Sequence, residues 1–377
     1  MKKGEILYCG KYTGFAGGIE RYAFQTALRL RSAGWQVHWC GRESARGETQ
    51  FRTGFDQVYS SDDPPALKEC RLVLLHKLPE LAFLERLRRQ YGSKVVFLVH
   101  DHDLYCPRHH YYTPFGRVNC HRPYDPVRCG ICSHIASPGN WPDADTGARI
   151  RALRGGHCAV LSRFMKENLL RNGFEEEKIH ILPPVIDRRE KDSAGEGSDG
   201  GELRILYLGQ LIRGKGVDLL LHALSALKIP WRATAAGDGN DRAMLEELAR
   251  RLGIADRVRF TGWQEDTDPC FARCDVAVFP SRWQEPFGLS GAEALGHGVP
   301  VVAFDTGGVR EWLEDGETGF IVPEQDTGGM ALRLETLYRE PALRKRMGAL
   351  GKTRIRERFS QERFFDALDR LMETVNS

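Results

Sequence analysis

The sequence predicts an α/β protein built of two Rossmann-like halves. Three observations carry that expectation. Strand and helix signals alternate through both halves, the pattern of doubly wound parallel sheets. Residues 188–202 contain no apolar side chain beyond alanine and read as a solvated linker. Each half opens with an apolar strand that runs into a glycine-bearing turn. A chain of 377 residues is long enough for two cores of ordinary size.

In the first half, 1–187, residues 5–10 form a short apolar run bounded by glycine, a buried strand. Residues 17–33 carry helical spacing and stop before Gly34. Strands follow at 36–41, 71–76 and 94–100, with a helix at 79–91 between the last two. A strand at 158–162, a helix ending at Asn172-Gly173 and a strand at 179–183 close this half. The second half, 203–360, has strands at 203–208, 231–236, 257–261, 275–279, 300–304 and 320–322. Helices are expected at 217–227, 242–252, 330–338 and 341–351. A last helix within 361–377 spaces Phe364, Phe365, Leu368, Leu371 and Met372 to dock, and is expected to pack back on the first half. Two such halves facing across a cleft would make that cleft the default site.

Composition narrows the partners. Hydrophobic content of 41% and charged content of 28% fit a globular protein, and a net charge of +3 does not suit a nucleic-acid binder. No apolar run approaches the roughly 20 residues of a membrane span, and the amino terminus lacks the apolar stretch of a signal peptide. A cytoplasmic location is expected, so the ten cysteines read as thiols or metal ligands before disulfides. Two basic stretches, Arg344 to Arg358 and Leu81 to Arg89, read as solvated helix faces, with peripheral contact at the inner face of a membrane as the alternative.

The chemistry is densest at Glu285-Pro-Phe-Gly-Leu-Ser-Gly-Ala-Glu293. An apolar strand precedes it and a helix starts near Ser290, so the segment lies at the carboxyl edge of a parallel sheet, where open α/β sheets bind ligands. The N–H groups of Gly288, Leu289 and Ser290, with Phe287 beside them, would face an anion. Two glutamates at this spacing also occur on any solvated helix. With the intervening Pro-Phe-Gly, however, the segment resembles the E-x7-E motif of retaining glycosyltransferases of family four, which have the GT-B fold. Gly17-Gly18-Ile-Glu-Arg21 after the first strand resembles that family's amino-terminal glycine loop, which lies against the donor diphosphate. Gly209-Gln-Leu-Ile-Arg-Gly-Lys215 resembles the loop that supplies an arginine and a lysine to the diphosphate. Lys215 matches the lysine. Gln210 replaces the arginine, and Arg213 is the nearest substitute charge. Gly237-Asp-Gly239 resembles the glycine turn beside the nucleotide. Trp263 stands where the base is contacted, with packing as its competing role, and Gly307-Gly308 reads as a structural turn. His100-Asp101 at the end of a strand resembles the family's pair beside the sugar.

The resemblance implies a GT-B enzyme that takes a nucleotide-diphosphate sugar, of the UDP or GDP type. It would transfer the sugar with retention to a glycan or lipid-linked acceptor, as in cell-surface polysaccharide or glycolipid synthesis, with no catalytic metal. Glu285 would orient the sugar, Glu293 would hold the ribose, and Lys215 with Arg213 would stabilise the leaving diphosphate. The alternatives are a non-catalytic sugar-nucleotide binder and another GT-B enzyme such as an epimerase. One feature stands apart, the insertion 101–140. Its Cys106, Cys120, Cys129 and Cys132, the last two as C-x2-C, suit a structural zinc if a tight turn brings both thiolates to one ion. His109, His110 and His121 are substitute ligands. Free thiols, disulfides and an iron–sulfur cluster are the competing readings.

Overall fold

The structure, a computed structural model, describes residues 3–76, 80–109, 111–114, 118–136, 145–186 and 201–377. The chain divides into two compact units: Met1–Val185 together with Glu362–Ser377, and Ile186–Gln361. Most of the expected linker 188–202 lies outside the described residues.

The first unit runs β1 (Glu5–Cys9), β2 (Tyr12–Thr13), α1 (Gly18–Ser32), β3 (Gln36–Gly41), β4 (Glu43–Ser44), α2 (Glu48–Arg52) and β5 (Gln57–Ser60). Then come β6 (Cys70–Leu75), α3 (Leu81–Tyr91), β7 (Val95–Val99), α4 (Pro126–Ala136), α5 (Asp145–Arg154), β8 (His157–Val160), α6 (Arg163–Arg171) and β9 (Ile179–Ile181). Seven strands pair in parallel in the order β5-β3-β1-β6-β7-β8-β9, with β2 and β4 as a short separate pair. Every residue of β7 is buried, as expected where helices cover both faces of a parallel sheet.

The second unit runs β10 (Leu203–Leu208), α7 (Val217–Ala226), β11 (Trp231–Ala236), α8 (Arg242–Arg251), β12 (Val258–Gly262), α9 (Asp268–Ala272) and β13 (Val276–Phe279). It continues with α10 (Leu289–Gly296), β14 (Val301–Phe304), β15 (Gly319–Val322), α11 (Thr327–Arg339) and α12 (Pro341–Arg358). Its six parallel strands lie in the order β12-β11-β10-β13-β14-β15. The strand order reverses between β1 and β6 in one sheet and between β10 and β13 in the other, so each unit has a switch point of the kind that binds ligands. The chain ends in α13 (Gln361–Asn376), which belongs to the first unit and buries Phe364, Leu368, Leu371 and Met372; Phe365 is only partly buried.

The differences from the sequence reading have local causes. Edge strand β5 is half exposed and has little apolar signal. The insertion contains the eleven-residue α4, where the sequence reading placed no helix. Helix α12 continues past Gly351, which reads as a stop but is a packing contact; a Cβ there would lie 2.8 Å from Leu295 Cδ2. No helix among the described residues is long and apolar enough to cross a membrane.

Burial lowers the proton affinity of four histidines in the first unit, His38, His76, His157 and His180, the last to about 4. In the unfolded chain these imidazoles titrate near about 6.5. Below that pH the unfolded chain therefore binds more protons than the folded one, and stability falls as pH falls toward 4. Scanning calorimetry should show a melting temperature that is level above about pH 7 and declines below about pH 6.5. His180→Phe should remove part of the decline; an unchanged slope would contradict the role given to its burial.

Candidate functional site

Two loops at the switch point of the second unit carry the densest chemistry. Strand β10 ends at Leu208 and leads through Gly209 and Gln210 to the single 3-10 turn Arg213–Lys215. Strand β13 ends at Phe279 and leads through Glu285 to α10. Lys215 Nζ donates to Glu285 Oε1 at 2.6 Å, and the Ser281 hydroxyl donates to the same oxygen at 2.6 Å. Glu285 is buried and Lys215 half-buried, so water screens this pair less than a surface one.

The loops meet at backbone distance. Arg282 and Trp283 N–H donate to Gly214 O at 2.9 and 3.3 Å. Gly216 has φ +69°, and a Cβ on it would lie 1.9 Å from Pro280 O; one on Gly214 would enter the Trp283 ring at 1.7 Å. The buried Arg282 guanidinium grips Asp218, in the first turn of α7, with both terminal nitrogens, and donates to Arg213 O at 3.0 Å. Beneath them Tyr207 Oη donates to Gln210 O at 2.7 Å. The Tyr207 phenol is held far above its usual range by burial, with Glu285 adding to the effect.

The backbone of Glu285 is held from behind. Gly308 N–H donates to Glu285 O at 2.7 Å, and Gly307, at φ +58°, leaves no room for a Cβ against Glu285 N and O. Trp312 Nε1 donates to Phe287 O at 2.6 Å and its ring covers Gly291. Gly288 caps α10 at φ +90°, a left-handed conformation that glycine adopts without strain. The opening N–H groups of α10 at Leu289 and Ser290 precede its intrahelical bonds, while Glu293 lies in the helix, half-buried. The remaining predicted glycines gather at neighbouring strand ends: Gly209 N–H donates to Ala236 O at 3.0 Å and Gly237 N–H to Gly262 O at 2.9 Å. Gly237 and Gly239 would drive a Cβ into Gly209 O and Leu211 O. Trp263 is exposed, at 42%, and Arg213 is exposed.

In the first unit, Gly17 caps α1 in extended conformation and Gly18 begins it. Neither is crowded by protein: a Cβ on Gly18 would meet nothing within 4 Å. His100 follows β7 and its Nε2 lies 3.1 Å from Nδ1 of the buried His76, which follows β6. His102 is structural. Its Nδ1 pairs with Tyr105 Oη at 2.8 Å and its ring stacks on Tyr111.

Among the described residues of the insertion no group of three or more His, Cys, Asp and Glu side chains is placed to hold a metal ion, and Cys106, Cys120, Cys129 and Cys132 form no disulfide. Cys129 and Cys132 lie three residues apart on helix α4, on neighbouring positions of one face. Cys106 Sγ accepts from Tyr111 N–H at 3.3 Å and Cys129 Sγ from Asp125 N–H at 3.5 Å. Burial pushes the Cys129 thiol up, with Cys120 and Cys132 adding to the effect. His110 lies outside the described residues.

Comparison with known proteins points to the family. Residues 188–354 match the family described as Glycosyl transferases group 1, and residues 16–190 match Glycosyltransferase Family 4. Each half of the chain is thus similar to a glycosyltransferase family. It is 34% identical over 188 residues to the lipopolysaccharide core biosynthesis glycosyltransferase LpsE of Rhizobium meliloti, 50% of this chain and 53% of that protein. It is also 34% identical over 186 residues to the alpha-D-kanosaminyltransferase of Streptomyces kanamyceticus, 45% of this chain and 48% of that one. The chain thus spans about half the length of the curated relatives it matches. Anabaena HepE in complex with UDP-glucose aligns over 99% of both chains at a TM-score of 0.75 and 18% identity, which shows the GT-B fold.

The structure brings Lys215, Glu285 and the start of α10 together at one switch point, along with three residues that the sequence reading missed. Ser281, Arg282 and Asp218 carry a faint signal: an arginine beside the glutamate, and an acid two residues after Gly216. Removing one partner of a buried ion pair leaves the other charge stranded, at a cost of roughly 3–5 kcal/mol. Arg282→Leu should therefore lower unfolding free energy by about that amount, and the double variant Arg282→Leu, Asp218→Leu by clearly less. Denaturant unfolding of the four proteins checks this; additive losses would show that the two charges are not coupled.

Proposed function

We propose that this chain is a retaining glycosyltransferase that moves a sugar from a nucleoside-diphosphate sugar to a hydroxyl of a glycan or lipid-linked acceptor. The observation that carries the reading is the Lys215–Glu285 contact at 2.6 Å beside the open N-terminus of α10. A cation, a carboxylate and a helix N-terminus at one switch point suit a diphosphate attached to a polyol. UDP is the favoured carrier because Anabaena HepE is described in complex with UDP-glucose. Synthesis of a surface polysaccharide is favoured by the resemblance to LpsE, named for lipopolysaccharide core biosynthesis.

In this reading the diphosphate binds over Gly209, Lys215 and the first turn of α10, and Lys215 exchanges the Glu285 oxygen for phosphate oxygens. Glu285, released from its cation, accepts hydrogen bonds from hydroxyls of the donor sugar. Glu293 holds the ribose, and Trp263, exposed at a strand end, covers the base. Arg213 substitutes for the arginine absent at Gln210. Breaking the bond from the anomeric carbon to the diphosphate leaves additional negative charge on the leaving group, and fixed cations there contribute several kcal/mol. The acceptor oxygen attacks the same face, and its proton passes to the departing diphosphate. For Gly17 and Gly18 the family resemblance implies a contact with the donor diphosphate, and for His100 one with the sugar.

Glu285→Gln should lower transfer at least about 100-fold, the magnitude expected when one aligned polar contact to the transition state is lost. Affinity for UDP should be unchanged or stronger, because the carboxylate no longer competes for Lys215. Lys215→Ala should weaken UDP binding and turnover together, by roughly 2–4 kcal/mol of transition-state stabilisation. Calorimetric titration with UDP and release of UDP from a panel of UDP- and GDP-sugars measure both. Loss of UDP binding in Glu285→Gln, or binding of every donor with no turnover, would overturn the assignment in favour of a different role for the carboxylate or of a binding protein.

A further inference from the structure

The carboxyl edge of the first sheet holds a buried group that the proposed reaction does not use. His76 follows β6, beside the point where strand order reverses, and is almost wholly enclosed, 1% exposed. Its main-chain N–H donates to Cys9 O at 2.7 Å, which fixes where its side chain starts. Around the ring stand Tyr8 from β1 at 4.5 Å between centroids, Tyr22 from α1 at 6.2 Å and Trp39 from β3 at 6.1 Å. The imidazole of His100 stacks on it at 5.3 Å and 21°. Among the described residues the titratable groups facing His76 are therefore Tyr8, Tyr22 and His100. Burial holds both phenols above their usual range, so they remain neutral.

The hydrogen bond between the rings joins His76 Nδ1 to His100 Nε2, at 3.1 Å. Only one of these two nitrogens can carry the proton. Among the described residues the buried His76 Nε2 has no hydrogen-bond partner. If the proton sat on Nε2, a buried N–H would be left without an acceptor; on Nδ1, it is shared with His100. A stranded donor is the rarer arrangement in folded proteins. The neutral ring of His76 therefore donates from Nδ1, and His100 accepts at Nε2. A histidine that accepts at one nitrogen carries its own proton on the other.

We propose that His76 is a positioning residue that holds His100 in the Nδ1–H tautomer and opposes its protonation. The proposal rests on the reading of His100 as a sugar contact. Held in this way, His100 offers one N–H donor of fixed direction to a sugar oxygen. To gain a second proton at Nε2 it would have to displace the His76 proton to the buried, unpartnered Nε2. Burial of His76, with the His100 charge adding to it, opposes a proton on His76 itself.

Two measurements on the whole chain test this. With ring-15N-labelled histidine, long-range 15N–1H spectra of the unliganded protein should show His100 as the Nδ1–H tautomer, assigned by the signals missing from His100→Gln. In His76→Leu, which keeps an apolar body of similar bulk, His100 should become a mixture in which Nε2–H grows. The second measurement is kcat/KM against pH with the donor that the UDP-release panel identifies. The acid limb should move up by about one pH unit in His76→Leu, since an imidazole freed of this partner protonates nearer its ordinary value. His76→Asn, whose amide nitrogen can donate from near the Nδ1 position, should restore the wild-type limb and return kcat to within about 3-fold, while UDP affinity stays within 2-fold in all variants. An Nε2–H His100 in the wild-type protein overturns the proposal even if His76→Leu does not fold. An unmoved pH limb with Asn no better than Leu reduces His76 to a packing role. If no donor is turned over, the functional reading fails, and the tautomer of His100 still decides the pairing.

Discussion

The site in the second unit depends on how closely the loops after β10 and β13 approach. Lys215 reaches Glu285 because Gly214 and Gly216 allow main chain to lie against Trp283 and Pro280. Any side chain at either glycine would push the loops apart by an ångström or more, and the 2.6 Å contact would not survive that. Arg282 then joins the same two loops through Asp218 and the Arg213 carbonyl. Charge is thus placed by backbone contact first and by ion pairing second. The order matters because an ion pair alone, half-open to water, contributes too little to hold two loops in register.

The Lys215–Glu285 pair also explains how such a site can stay folded without a ligand. A buried carboxylate with no partner would be strongly destabilising. Glu285 instead accepts from both Lys215 and Ser281. A diphosphate is a better partner for the lysine than one carboxylate, so ligand binding would exchange one satisfied arrangement for another. The first unit solves a similar problem with neutral groups. His76 and His100 share one proton between them, and Tyr8 and Tyr22 surround the pair without charge.

Helix ends show where residue pattern misleads. A glycine such as Gly351 ends isolated helices, yet here it lets α12 pack on Leu295. In the insertion, residues 126–136 form a helix that carries Cys129 and Cys132, and the sulfurs of Cys106 and Cys129 accept main-chain N–H groups.

Much was legible from the sequence by itself. The apolar runs of β1, β7, β10 and β13, the strand–helix alternation and the glycine turns after strands fix two doubly wound sheets, because parallel strands buried on both faces leave an unbroken apolar signature. The turns at Gly209 and Gly237 and the loop that carries Glu285 into α10 were legible for a related reason: they follow strands, and local sequence dictates how the chain turns there. Only the tertiary structure decided which of them touch. Ser281, Arg282 and Asp218 acquire their roles from a meeting of loops more than 60 residues apart, and His76 acquires its role from a neighbour on the adjacent strand. Strand order sets those meetings, and strand order is fixed by the packing of the whole sheet rather than by any segment of it.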